Sequence, residues 1–216
     1  MEISERQGMP GLTYPEQYLK RLAADLGSRF AGIFGAETVE RYVLESYTAL
    51  LRTSRVTTHL ASQTIRFSTE RLTALAQAKG AIESTIPEVL FVCEQNAGRS
   101  QMAAVFTHHI AEGRVHVRSA GSSPSAALNP VVVEAMSELG LDMAEEFPKP
   151  LTDDVVQAAD VVITMGCGDA CAIYPGKKYL DWDLTDPAGL PLVEVRRMRD
   201  EIRRRVELML AGLDLT

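Results

Sequence analysis

Five consecutive apolar residues, VLFVC at 89–93, run into the turn-forming string EQNAG and then into RSQMAAVFTHHIAEG, whose apolar residues recur at helical spacing. A short apolar run without alternation is the pattern of a strand covered on both faces. Strands of that kind belong to parallel sheets, where each parallel neighbour requires a crossover helix. The residues that follow repeat the alternation. VHVRSAG reads as a strand, NPVVVEAMSELG as a helix, LTDDVVQAAD as a helix capped by Thr152, and VVITMG as a strand. KKYLDWD reads as a short last strand and LVEVRRMRDEIRRRVELMLAGL as a long terminal helix. The order predicts an α/β domain: a four-stranded parallel open sheet with helices on both faces. Ligands on such sheets bind beyond the carboxyl ends of the strands, at or next to which Cys93, Ser119 and Cys167 are expected.

The first 80 residues carry a different pattern, with no strand-like run. TYPEQYLKRLAADLGSRF opens with Thr13 and Glu16 in capping-box spacing, and Leu19, Leu22, Leu26 and Phe30 then recur at helical intervals. Val39, Tyr42, Val43, Tyr47, Leu50 and Leu51 mark a second amphipathic helix. Leu60, Phe67, Leu72 and Leu75 mark a third, with Gly80 placed to stop it. Charge divides the same way. Residues 1–80 hold 10 Lys and Arg against 8 Asp and Glu, whereas residues 81–216 hold 12 against 21. Two domains are therefore expected, a three-helix bundle over 1–80 and an α/β domain over 87–216.

The overall charge of −7 argues against a general nucleic-acid binder. No run approaches the roughly 18 apolar residues of a membrane span, and MEISERQGMPGLTYPEQ lacks an apolar leader core, so a cytoplasmic location is expected. Three cysteines in such a chain do not make a secreted disulfide framework. They read instead as catalytic, metal-binding or buried thiols.

CEQNAGRS, residues 93–100, places a thiol between a strand and a helix start. Backbone N–H groups of such a turn converge on a tetrahedral oxyanion, with the helix dipole behind them. Ala97 and Gly98 let the backbone approach closely, and Arg99 offers a planar fork to two oxyanion oxygens. The same field favours thiolate over thiol at Cys93, and Ser100 is placed to donate its hydroxyl to it. No Gly-Lys-Ser/Thr follows, so this is not a nucleotide loop. A nucleophile attacking an oxyanion needs an acid for the departing oxygen. DWDLTDPAG supplies Asp181, Asp183 and Asp186; Asp186, just before Pro187, is the candidate acid, and the other two read as turn residues.

VLFVCEQNAGRSQMAA, VRSAGSSP, ITMGCGDAC and DWDLTDPAG, in that order and spacing, resemble the arsenate reductases built on the low-molecular-weight tyrosine-phosphatase fold. The resemblance covers about residues 87–212 and implies Cys93 as nucleophile within an oxyanion loop of Glu94, Gln95, Asn96, Ala97, Gly98, Arg99 and Ser100. Asn96 shapes that loop, and Asp186 is the acid. The helical segment resembles the three-helix dimerisation extension of some actinobacterial members, which implies a homodimer through residues 1–80.

The resemblance also gives the two remaining cysteines a use. Reduction of arsenate takes two electrons, so a Cys93–arsenate adduct is discharged by Cys167, and Cys171 then attacks Cys167. The spacing of four residues, about 6 Å along a helix, lies within disulfide reach. The surface pair is then reduced by thioredoxin, the donor of three-cysteine members. The alternatives are a single-thiol reductase using a low-molecular-weight thiol, a tyrosine phosphatase that leaves both cysteines idle, and a zinc site around Cys167 and Cys171. The zinc reading needs His108 and His109, which fall on no standard spacing. In some reductases a carboxylate binds potassium where this chain has Ala104, so no metal and no cofactor are expected. Glu94 opposes a dianion if it faces inward.

Overall fold

The structure is a computed structural model that describes residues 15–54, 58–166 and 173–213. It divides into two compact units, residues 1–73 and 74–216, with the boundary inside the third helix.

In the first unit α1 (Pro15–Arg29), α2 (Ala36–Thr53) and most of α3 (Leu60–Ala78) form a bundle. Leu19, Leu22, Leu26 and Phe30 of α1 are buried, as are Val39, Tyr42, Val43, Tyr47 and Leu50 of α2 and Leu60, Phe67 and Leu72 of α3. Leu51 and Leu75 are only half-buried, one step off the apolar stripes. The buried Arg71 guanidinium stacks 4.5 Å from the Tyr42 ring centroid and donates to Ser46 Oγ (3.3 Å) and Glu45 Oε2 (3.1 Å), fastening α3 to α2. Thr13 of the expected capping box lies outside the described residues. Gly80 follows α3 at φ +67°, a left-handed stop.

The second unit carries β1 (Glu88–Cys93), α4 (Arg99–Ala111), β2 (His116–Gly121), α5 (Pro130–Ser137), α6 (Asp153–Ala158), β3 (Val161–Met165), β4 (Lys178–Asp181) and α7 (Leu192–Ala211). The strands form one parallel sheet in the order β2-β1-β3-β4. Every residue of β1 is buried. Val89, Phe91 and Cys93 face a core shared with α4, α5 and α7, while Leu90 and Val92 face a core shared with α6 and the end of α3. The two-sided burial read from VLFVC thus arises from alternate residues on opposite faces of one strand. Phe91 packs on Trp182, ring centroids 5.7 Å apart. Thr152 occupies the N-cap of α6 but makes no capping bond; its hydroxyl donates to Asp154 Oδ2 at 3.2 Å instead.

Because β2 lies on one side of β1 and β3 on the other, the chain reverses direction across the sheet at β1. The carboxyl ends of β1 and β3, with Cys93 opposite Met165, form the switch point where parallel sheets open a crevice. The opposite end of β1 is closed by a buried charge cluster. Glu88 bonds to Arg118, His116 Nδ1 (2.7 Å) and Gln77 Nε2 (2.5 Å), and Arg118 also donates to Gln77 Oε1 at 2.7 Å. Burial pushes the Glu88 carboxyl up, but the His116 hydrogen bond, the Arg118 charge and Gln77 outweigh it and leave its pKa below the ordinary value.

Candidate active site

β1 delivers Cys93 to the switch point, and residues 94–98 turn the chain into α4, whose amino end points back at the sulfur. Cys93 is 1% exposed. Its Sγ lies 2.9 Å from Ser100 Oγ and accepts the Asn96 backbone N–H at 3.2 Å. The backbone N–H is the donor in the second contact, and in the first either the hydroxyl or the thiol can be. Asn96 holds a left-handed conformation, φ 47°, as an anion-binding nest requires. Its side chain donates to Ser100 Oγ at 2.8 Å.

A small cleft opens over the sulfur, lined by Cys93, Gln95, Ala97, Gly98, Arg99, Asn129, Asp186 and Pro187. Loop 184–188, after β4, forms its far wall. Arg99, 5% exposed, donates from one terminal nitrogen to Leu184 O (3.1 Å) and from the other to Asp186 Oδ2 (2.7 Å). Its Nε has no partner among the described residues. The fork expected to face an oxyanion is thus turned onto loop 184–188. The other Asp186 oxygen accepts the Ala188 N–H at 2.8 Å, and Asn129 Nδ2 donates to Pro187 O at 3.2 Å, so the loop is held on both sides.

Gly98 is needed for a reason that the motif does not reveal. A Cβ there would stand 2.6 Å from the Pro187 ring, so the absent side chain lets loop 184–188 lie against the thiol loop. Gly121 has the same use beneath the loop, where a Cβ would meet Glu94 O at 2.7 Å and Asn96 N at 2.9 Å. Glu94 itself is exposed, so its carboxylate faces solvent rather than the cleft. Asp181 and Asp183 are exposed; Asp181 accepts the Thr164 hydroxyl at 2.5 Å. Ser119 lies inside β2, buried, not beyond its end.

Cys167 and Cys171 lie outside the described residues. The chain enters that segment through Gly166, next to the Met165 that pairs with Cys93. His108 and His109 are exposed on α4, and no group of three or more His, Cys, Asp or Glu among the described residues is arranged to hold a metal ion. No helix among them is long and apolar enough to cross a membrane. Two residues near the sulfur escaped the sequence reading. Asn129 caps α5 by accepting the Val131 N–H at 3.0 Å while steadying Pro187, and Gln101 is fully buried against Asn96. An Asn before Pro at a helix start was a legible signal for the first; a Gln inside a helix is none for the second.

Residues 88–215 match the family of low molecular weight phosphotyrosine protein phosphatases, and residues 19–76 match the protein-tyrosine-phosphatase-like N-terminal domain. The structure of a thioredoxin-dependent arsenate reductase from Corynebacterium glutamicum is similar, with 46% identity and a TM-score of 0.84 over 91% of this chain and 96% of that one. Arsenate reductase 1 of Staphylococcus epidermidis is 35% identical over 123 residues, 55% of this chain and 92% of its own. A glutaredoxin arsenate reductase of Synechocystis is 33% identical over 130 residues, 58% of this chain and 98% of its own. With a family match over more than half its length, the chain belongs to the low molecular weight phosphotyrosine protein phosphatase family, and a protein-tyrosine-phosphatase-like N-terminal domain precedes that match.

Proposed function

We propose that this protein is an arsenate reductase of the thioredoxin-dependent type. The observation that carries the reading is the enclosed Cys93 sulfur, held by Ser100 and Asn96 N–H beside Arg99 and Asp186, in a chain similar over nine-tenths of its length to such an enzyme. Arsenate enters the cleft and takes the Arg99 fork from Leu184 O and Asp186, while loop N–H groups and the α4 dipole bind its remaining oxygens. Freed from that ion pair, the Asp186 carboxylate takes up a proton from solvent and gives it to the departing oxygen as Cys93 Sγ bonds to arsenic and water leaves.

Reduction follows in the cysteine relay. The Cys167 thiolate attacks Cys93 Sγ; the Cys93–arsenic bond breaks, its electron pair reduces arsenic(V) to arsenic(III), and arsenite departs. The Cys93–Cys167 disulfide then passes to Cys167–Cys171 by attack of Cys171, freeing Cys93. Thioredoxin reduces that pair and takes the oxidation away. Support for the relay lies in the chain itself: Cys167 follows by two residues the Met165 that faces Cys93 across the sheet, and Cys171 comes four residues later. The reading extends to a homodimer through the helical domain, which leaves Leu44 (51% exposed) and Ile65 (42%) uncovered.

The test is arsenate-dependent NADPH oxidation with thioredoxin and thioredoxin reductase, in wild type and Cys171→Ser. Turnover that is lost in the variant supports the relay. Turnover restored to the variant by glutaredoxin and a low-molecular-weight thiol assigns a single-thiol route. Hydrolysis of an aryl phosphate without arsenate turnover refutes the reductase reading and leaves a phosphatase.

A further inference from the structure

Gln101 sits third in α4 with its side chain fully buried, beyond the residues that touch the cleft. Its Nε2 lies 3.1 Å from Asn96 O, 3.0 Å from Asn96 Oδ1 and 2.9 Å from Phe147 O. Two of those three are backbone carbonyls, which only accept, so the Gln101 atom facing them is its NH2 group. Asn96 Oδ1 also receives the Lys149 backbone N–H at 2.8 Å, and a backbone N–H only donates. The oxygen end of the Asn96 amide therefore points at Gln101 and Lys149, and its NH2 end points at Ser100 Oγ. Ser100 has one hydroxyl hydrogen. With Asn96 donating to its oxygen, that hydrogen is left for Cys93 Sγ, 2.9 Å away, whenever the sulfur is a thiolate and can only accept.

We propose that Gln101 is a positioning residue for the Cys93 nucleophile, acting through Asn96 and Ser100 to direct the serine hydroxyl hydrogen onto the sulfur. The proposal rests on the reading of Cys93 as nucleophile. The two Gln101 hydrogens serve three acceptors, so one is shared: the group holds the backbone carbonyl and the side-chain oxygen of the left-handed Asn96 and ties them to Phe147 O. Without it the Asn96 amide keeps one donor on its oxygen rather than two and is free to rotate. Ser100 can then turn its hydrogen away from the sulfur, which loses one of its two hydrogen-bond donors.

The experiment uses the full chain carrying Cys167→Ser and Cys171→Ser, which leaves Cys93 as the one thiol. Alkylation of Cys93 by iodoacetamide is followed by mass spectrometry from about pH 6 to about pH 9, since the thiolate is the reacting form. Gln101→Met is expected to slow alkylation roughly tenfold near the acid end and to leave the rate at the alkaline end unchanged. In a Ser100→Ala background the same substitution is expected to do nothing more, because the group it acts through is gone. An unchanged profile overturns the proposal, and so does equal slowing in both backgrounds, which is what general loosening of the loop produces. A Cys93 that resists alkylation at every pH instead overturns the nucleophile reading, and the proposal with it. If Gln101→Met does not fold, Gln101→Leu takes its place, since its side chain likewise has no hydrogen to donate to Asn96 or Phe147.

Discussion

Replacing Glu88 by Gln keeps the shape of the side chain and removes one buried charge from a cluster that opens to water at its His116 edge. Glu88 is 1% exposed and Arg118 is 2% exposed, so the substitution leaves a guanidinium buried without its carboxylate. Gln77 Oε1 remains as a neutral acceptor at 2.7 Å and softens the loss. Breaking a buried ion pair from one side costs about 3–5 kcal/mol, a large share of the roughly 5–15 kcal/mol that holds a domain folded. For a unit of this size the melting temperature should fall by roughly 10–15 °C. Trp182 is the single tryptophan, 7% exposed and packed on Phe91, so its fluorescence in a urea titration reports on this unit. The pH dependence has a definite sign. The folded Glu88 pKa lies below its ordinary value, so its stabilisation is complete above the unfolded carboxylate range and is lost as pH falls through the folded pKa. The gap between wild type and variant should thus be full at neutral pH and narrow in acid. A gap under about 0.5 kcal/mol at neutral pH, or one that does not narrow in acid, refutes the reasoning. Glu88 and Cys93 are at opposite ends of β1, roughly 16 Å apart at strand rise, so alkylation of Cys93 in the folded variant should be unchanged.

Arg99→Lys exchanges the planar fork for a point charge and should lower kcat/KM for arsenate about 10²–10³-fold, measured in the coupled thioredoxin assay with folding checked by Trp182 fluorescence. Gly121→Ala forces a methyl against Glu94 O and Asn96 N, backbone atoms that cannot swing aside. It should cost about 1–3 kcal/mol in urea unfolding and slow Cys93 alkylation; wild-type values for both would show that the loop is more yielding than its geometry indicates. Sedimentation of the full chain should give twice the 23.6 kDa of one chain, and Leu44→Arg should shift it toward one; a wild-type monomer would refute dimerisation.

Much of the site was legible because its residues are contiguous. Cys93 through Ser100 form one turn between a strand and a helix, and the strand VLFVC announces itself by being apolar at every position. Asp186 was legible from the Pro that follows it. Other features were not. The turning of Arg99 onto Leu184 O and Asp186 joins positions 85 and 87 residues apart, and no local pattern encodes it. Gln101 looked like any helix residue because two of its three partners are backbone carbonyls, which carry no side-chain signature. His116 carried no chemical signal in the sequence, yet it closes on Glu88 from the neighbouring strand.

The sequence by itself determined the two-part composition, the seven helices and four strands among the described residues, the parallel sheet and the thiol loop. Each follows from periodicity or from residues adjacent in the chain, where local sterics and the burial of apolar side chains dominate. Tertiary structure alone decided which strand lies beside which, how Gly98 admits Pro187, and which end of the Asn96 amide faces Ser100. Those are contacts between distant segments, set by shape complementarity and by the need of every buried polar group for a partner, and a linear pattern holds neither.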